Sequence, residues 1–159
     1  MKDYKDDLKI VYKNYVVHPN VATDPALASC AAGKQGKFPE MEHLIWEKGY
    51  NANRNLSASN METLAKEAGL NMDQYKKDIA GACQETLKTE RQELSKFGVS
   101  GTPAFFINGR FLSGARPIDQ FKKVIDEELK KASEAIANGT SVENYYSEYV
   151  EKKGMNSLK

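Results

Sequence analysis

The stretch FGVSGTPAFFINGRFLSG, residues 97–114, constrains the fold of this chain more than any other segment. Two short apolar runs, Ala104–Ile107 and Arg110–Leu112, flank an Asn-Gly pair whose members both tolerate a positive φ. This pattern predicts a tight type I′ β-hairpin. An apolar hairpin must bury a face, and an amphipathic helix predicted to begin at Pro117 and end at Gly139 supplies the cover.

A proline stands at the mouth of the first of these strands, in the sequence Gly101-Thr102-Pro103. A trans proline is tolerated at the first residue of a strand, where its missing N–H has the least effect. A cis bond would instead turn the chain sharply and leave the N–H and carbonyl of Thr102 on the outside of the sheet. Such an exposed backbone edge can pair with an extended peptide, and Gly101 gives the turn its room. From the residues alone the trans form is favoured, since only about 5–6% of X–Pro bonds in folded proteins are cis.

The segments that precede the hairpin predict one strand followed by helices. Leu8–Tyr15 is rich in β-branched and aromatic residues, which is typical of a strand. Capping residues and apolar periodicity then predict helices that begin at Pro25, Phe38 and Met72, the last of them running to Phe97. A further helix is predicted to be capped by Ser59. A short helix capped by Thr140 is expected after Gly139. The chain is therefore predicted to be mixed α/β.

The phenylalanines around the hairpin are predicted to form its core rather than a ligand site. They are Phe97, Phe105, Phe106, Phe111 and Phe121.

Composition excludes several classes of protein. The chain has 159 residues, of which 40% are hydrophobic and 28% charged, and this suits one globular domain with a core. A net charge of +1 without a basic stripe argues against a nucleic-acid partner. No run approaches the ~20 apolar residues that span a bilayer, so we expect no membrane insertion. No basic-then-apolar leader follows Met1, so we expect no signal peptide in this chain.

The cysteines and histidines are scattered. Cys30 and Cys83 form no CxxC, and with His18 and His43 they have no metal-ligand spacing, so we expect no metal site and no cofactor. Each cysteine is predicted to be a small buried hydrophobic residue. The alternative is a disulfide that joins two helices, which requires Cα atoms within ~7 Å. A reactive role is disfavoured because neither cysteine lies at a predicted helix start.

The ordered set of these segments resembles one protein family. FGVSGTPAFFINGRFLSGARPIDQFKKVIDEEL is similar to the C-terminal half of DsbA-like thiol–disulfide oxidoreductases, which have a thioredoxin fold with a helical insertion. LKIVYKNYVVHPN resembles the family's second strand, and GKQGKFPEMEHLIWEKG resembles the first helices of the insertion. The resemblance implies a thioredoxin-like portion over residues 1–21 and 98–138, an insertion over 22–97, and a C-terminal helix and tail over 139–159.

The resemblance implies a site and also shows what this sequence lacks. Gly101, Thr102 and Pro103 would form the family's cis-proline loop, which holds the substrate peptide. The family's chemistry needs a CxxC at the start of the helix that follows its first strand, because that position lowers the thiol pKa. The family's first strand and its CxxC are both absent from this sequence, so no catalytic residue is assigned. A truncated, redox-inactive domain is therefore expected. The alternative is a non-catalytic peptide-binding or assembly module that uses the same loop.

The resemblance also implies partners and a compartment. Substrates would be unfolded or extended proteins, and the location would be periplasmic or secreted. In the family's sheet the absent strand lies between the Leu8 strand and the hairpin. Because unpaired strand edges recruit other chains, we expect self-association of this chain, for example as a homodimer.

Overall fold

The computed structural model describes Tyr4 and residues 7–152. The chain divides into two compact units. One, which we call the helical unit, is Lys13–Ser95, and the other, the hairpin unit, combines Met1–Tyr12 with Lys96–Lys159.

The helical unit contains five helices. Helix α2 runs on as a π-helical segment, Ile45–Asn51, without an intervening turn. The helices are α1 Pro19–Lys34, α2 Phe38–Leu44, α3 Ala58–Glu67, α4 Met72–Ala80 and α5 Ala82–Lys96.

Two predicted helix boundaries in this unit are wrong. Helix α1 begins at Pro19 rather than Pro25, because the N–H groups of a first turn have no helical partner and proline loses nothing there. The long helix predicted from Met72 to Phe97 is divided at Gly81, whose φ of −132° and ψ of −94° lie outside the helical region. Glycine adopts such a conformation more readily than other residues.

The helix caps are set by local hydrogen bonds. The cap of α3 is Ser57, whose side chain accepts from the N–H of Asn60, and the predicted cap at Ser59 is wrong. Asn71 caps α4 by accepting from the N–H of Gln74 at 2.9 Å. Each cap satisfies one of the N–H groups that the first turn leaves unpaired.

The core of the helical unit lies between α1, α2, α3 and α4. Met41, Met61 and Cys83 have the largest fully buried side chains of the described residues. The same cluster contains Leu27, Ala28, Ala31, Ala32, Ile45, Leu64, Ala65, Ala68, Leu70 and Tyr75. Small residues of α1 let the other helices approach it closely.

Of the two alternatives for the cysteines, the disulfide is confirmed and the pair of free buried thiols is wrong, since Cys30 and Cys83 are bonded to each other. Helix α4 packs on α1. The helix is interrupted at Gly81, and Cys83 therefore lies in the first turn of α5. The two Cα atoms are 5.8 Å apart, a separation that a disulfide spans. The bond therefore joins α1 to the start of α5.

The hairpin unit contains the predicted two-stranded sheet. Strands β1 (Ala104–Ile107) and β2 (Arg110–Ser113) are antiparallel, with Phe105 opposite Leu112. The turn residues Asn108 and Gly109 have φ values of 45° and 85°, which confirms the type I′ prediction. Helix α6 (Ile118–Ala137) follows, and then α7 (Val142–Tyr145), which continues as a π-helical segment, Tyr146–Glu151. The cap of α7 is Ser141 and not Thr140.

The predicted strand at Leu8–Tyr15 does not form. Among the described residues the sheet has two strands only, so this segment has no strand beside it. Its far end is held by α5 instead: the N–H of Asn14 donates to Glu90 at 2.7 Å, and Arg91 donates to the carbonyl of Val16. Side-chain hydrogen bonds thus replace the ladder that the β-rich composition predicted.

The predicted phenylalanine core is only partly buried. Phe105 and Phe106 remain 38% and 40% exposed, and Phe97 is exposed to a similar extent. Phe111 and Phe121 are half-buried. A two-stranded sheet has two faces, and α6 contacts β1 on one of them.

Candidate functional site

The loop Gly101–Pro103 leads directly into β1. Its Thr102–Pro103 peptide bond is cis. The side chains of Thr102 and Pro103 are exposed, and a Cβ placed on Gly101 would meet no heavy atom within 4 Å. The three residues that the sequence indicates as a site therefore form a loop of the hairpin unit that is open to solvent.

The backbone on the two sides of this peptide bond is paired differently. The carbonyl of Pro103 accepts from the N–H of Gly114 at 2.8 Å, which extends the β1–β2 ladder by one step. Within the described part of the chain, the N–H and carbonyl of Thr102 have no backbone partner. The loop thus presents a backbone donor and acceptor at the entry of a strand, where an extended peptide could pair with them.

Aromatic contacts fix β1 beneath this loop. Phe105 meets Phe121 of α6 edge-on, with ring centroids 4.8 Å apart. Phe106, its neighbour on the opposite face of the strand, contacts Phe111 at 5.2 Å and Phe97 at 6.1 Å. The strand that carries the loop is therefore held by ring contacts on both faces.

A second feature, which sequence reasoning missed, is a charged groove at the other end of the hairpin. It has a volume of about 580 Å³ and is bordered by the hairpin turn, α6 and the last π-helical segment. The buried carboxylate of Glu128 lies 2.7 Å from Lys131 and 3.3 Å from Arg110. Arg110 also binds Glu127 and lowers the pKa of that carboxyl. These charges are neutralised within the protein, and their pairing from β2 to α6 has no local sequence signal.

The cysteines lie in the helical unit and offer no thiolate. Cys83 is fully buried, and its place in the first turn of α5 follows from the break at Gly81 that the sequence did not predict. A thiolate is the attacking species in disulfide exchange, and the two sulfur atoms are bonded to each other.

In the described part of the chain, no three His, Cys, Asp or Glu side chains are grouped to hold a metal ion. Helices long and apolar enough for a bilayer are likewise absent from the described residues.

The hairpin, the cis-proline loop and the covering helix define a thioredoxin-like α/β protein that is mostly helical. The chain matches the family described as the DSBA-like thioredoxin domain over residues 1–126, and it belongs to that family. The thiol–disulfide oxidoreductase family that the sequence resembles is thereby confirmed.

Two relatives illustrate the range of the similarity. A Na(+)/H(+) antiporter NhaA 1 of Mycolicibacterium vanbaalenii is 30% identical over 112 residues, which are 67% of this chain and 17% of the relative. The protein of the same name from Salinispora arenicola is 32% identical over 112 residues, or 69% of this chain and 16% of the relative. The chain thus spans less than a fifth of the length of these curated relatives. No solved structure matches the chain.

Proposed function

We propose that this chain is the peptide-binding portion of a DsbA-like oxidoreductase, and that by itself it catalyses no disulfide exchange. The observation that carries the proposal is the Thr102 backbone, exposed and unpaired among the described residues, beside the cis-proline at the entry of β1. An extended polypeptide would add to this edge through main-chain hydrogen bonds. Such an edge selects unfolded or extended proteins with little demand on their sequence.

The absence of exchange follows from the chemistry of sulfur. Attack on a disulfide requires a thiolate within reach of the bound peptide. The two cysteines of this chain are 53 residues apart, joined to one another, and belong to the helical unit. No CxxC occurs in the sequence, so the Gly101–Pro103 loop has no sulfur pair from this chain to present to a peptide.

The proposed setting is the periplasm or the exterior of the cell. Disulfides persist in oxidising compartments and are rare in the cytosol. The Cys30–Cys83 bond and the family both support this location. In that setting the bound proteins would be exported chains that acquire or exchange disulfides.

A second candidate function is a non-catalytic peptide-binding or assembly module. It is favoured because the backbone edge at Thr102 uses neither cysteine. The two candidates differ in whether a redox-active cysteine pair acts on the peptide that this edge holds.

The first experiment measures thiol–disulfide exchange. The chain and its Cys30→Ala/Cys83→Ala variant are compared in insulin reduction with dithiothreitol. We expect both to match the protein-free rate. Turnover that persists without either cysteine would contradict the thiol assignment, and turnover lost in the variant would show that the Cys30–Cys83 pair is itself redox-active.

The second experiment tests the backbone edge. An extended, apolar peptide is titrated against the chain while amide signals are followed by NMR, and the same peptide with alternate N-methylated amides is the control. We expect the Thr102 amide signal to shift with the unmodified peptide only, because N-methylation removes the main-chain donors. Equal binding of both peptides, or shifts that leave the 101–103 loop unchanged, would refute the proposed edge.

A further inference from the structure

A stripe of aromatic and charged side chains runs along the helical unit, from α2 through its π-helical extension to Arg54 just beyond it; Trp46 and Arg54 are exposed, and Glu42 and Tyr50 are half-buried. Trp46, which is the single tryptophan of the chain, is 51% exposed. Its ring meets Tyr50 edge-on at 5.3 Å, and the guanidinium of Arg54 lies over Tyr50 at 4.5 Å. Glu42 is four residues before Trp46 and therefore lies on the same helical face. We call Glu42, Trp46, Tyr50 and Arg54 the aromatic stripe.

The aromatic stripe has an acidic end and a basic end. Glu42 has no ion-pair partner among the described residues, whereas neighbouring Glu40 pairs with Lys37. At the opposite end Arg54 likewise has no ion-pair partner among the described residues, and its guanidinium contacts the uncharged Tyr50. The stripe thus leaves one negative and one positive charge uncompensated on either side of an exposed indole.

The order of these residues pairs opposite charges and aromatic rings about its centre. Glu42 and Arg54 each lie six residues from position 48, and Trp46 and Tyr50 each lie two residues from it. A two-fold axis at the level of position 48 would place Glu42 of one copy opposite Arg54 of the other, and Trp46 opposite Tyr50. A two-fold contact requires a surface that is complementary to itself, and the order of charges and rings along this stripe is complementary to itself in this sense.

The basic end is held in place before any contact forms. Arg54 donates to the hydroxyl of Tyr50 at 2.9 Å, and its own N–H donates to the carbonyl of Tyr50. Its φ of 52° places it in the left-handed region, which non-glycine residues adopt infrequently. A side chain that is already ordered loses less entropy on binding than a mobile one.

We propose that the aromatic stripe is the two-fold contact of a homodimer of this chain. Tryptophan, tyrosine and arginine are the residues that most often dominate binding energy at protein contacts. The proposal selects a second copy because the opposite charges at the two ends match each other under the two-fold operation. It differs from the expectation of pairing through strand edges, which would place the contact in the hairpin unit.

The first test removes the aromatic centre of the contact. Sedimentation velocity over a concentration series is measured for the full chain, for Trp46→Ala, and for Tyr146→Ala as a control at a tyrosine that is 57% exposed. We expect Trp46→Ala to raise the dimer dissociation constant by about 100-fold or more and Tyr146→Ala to leave it unchanged. A dimer insensitive to Trp46→Ala would overturn the proposal.

The second test exchanges the charges. Glu42→Arg and Arg54→Glu are each expected to raise the dissociation constant by about tenfold, since each puts like charges opposite one another. The combined variant restores opposite charges and is expected to return within about threefold of the wild-type value. The swap Lys130→Glu with Glu134→Lys, an exposed pair on α6, serves as the control. Failure of the combined variant to recover would refute the two-fold register.

A third measurement needs no variant. Because Trp46 is the single tryptophan, its fluorescence reports on the stripe alone. We expect its emission to move to shorter wavelength and its quenching by acrylamide to fall as the chain concentration rises. A chain that stays monomeric, or that dimerises while Trp46 emission and quenching stay constant, contradicts the proposal.

Discussion

The helical unit and the hairpin unit bury their apolar side chains to very different extents. The helical unit closes around a cluster that includes the fully buried Met41 and Met61. Of the described residues in the hairpin unit, the buried apolar ones are Val99, Val124 and Ala135, while its phenylalanines remain partly exposed. One unit has a core of its own, and the other has a sheet with apolar surface left over.

Because of this difference, we expect other polypeptide to affect the hairpin unit more than the helical unit. A two-stranded hairpin is marginally stable in water unless further strands or a helix cover it. Here α6 covers part of the sheet, and the segment at Leu8 forms no strand. The helical unit should therefore tolerate isolation, and the hairpin unit should respond to added strands.

The largest change in the free energy of unfolding is expected when a core side chain of the helical unit is truncated. Met61→Ala should lower the free energy of unfolding by about 2–5 kcal/mol, because Met61 is fully buried and leaves a cavity. Ile118→Ala in α6 is the control, and because its side chain is 65% exposed it should cost less than about 0.5 kcal/mol. Urea unfolding followed by circular dichroism measures both. Similar losses would mean that the contrast in packing is not a contrast in stability.

The disulfide should stabilise the helical unit by a comparable amount. Removing it in the Cys30→Ala/Cys83→Ala variant is expected to cost about 2–4 kcal/mol, since a cross-link across 53 residues restricts the unfolded chain. Hydrogen exchange followed by mass spectrometry should show the added opening in α1 and α5, with the hairpin unchanged. Opening confined to the hairpin would contradict this division of the chain.

Alkaline pH should act on the helical unit through Tyr75. Burial raises the pKa of Tyr75 to about 12, with smaller contributions from Glu62 and Asp24. Since an unfolded tyrosine ionises near pH 10, the folded state binds the proton more tightly and this contribution to stability is full below pH 10. It is lost as the pH rises from about 10 to about 12, at a cost on the order of 2 kcal/mol.

The control for this prediction is Tyr75→Phe, which has no proton to lose. Unfolding free energies of both proteins, measured by urea between pH 8 and pH 12, should diverge from each other only above pH 10. Parallel curves would show that Tyr75 ionises equally in the folded and unfolded states.

The smallest effect is expected at helix caps. Asn71→Ala should cost about 1 kcal/mol because the N–H of Gln74 loses its partner. Ser141→Ala removes the corresponding cap of α7, a four-residue helix without buried residues, and should cost less. Thermal unfolding of the two variants compares them. A larger loss for Ser141→Ala would indicate that the end of the chain is more tightly coupled to the fold than its burial suggests.

Features set by neighbouring residues could be predicted from the sequence. The Asn108-Gly109 turn follows from two residues that accept positive φ, and α6 follows from its apolar periodicity. The position of the Gly101–Pro103 loop before β1, together with the ordered segments that resemble the family, predicts it as a site.

Features that depend on distant residues could not be predicted. The Leu8 segment has the composition of a strand, but strand formation needs a neighbour that composition does not supply. The disulfide required the packing of α4 on α1, and the Arg110–Glu128 pair required β2 to meet α6. The break at Gly81 lay inside a periodic apolar pattern that one continuous helix would also satisfy.

Hydrogen exchange of the full chain, with and without an extended peptide, tests the proposal that the helical unit is closed while the sheet edge at Thr102 binds extended polypeptide. In the free chain we expect amides of α1 and α3 to exchange at least about 100-fold more slowly than Thr102. Excess peptide should slow exchange at Thr102 and leave α3 unchanged. Protection of Thr102 in the free chain, or exchange there that the peptide does not alter, would contradict the account.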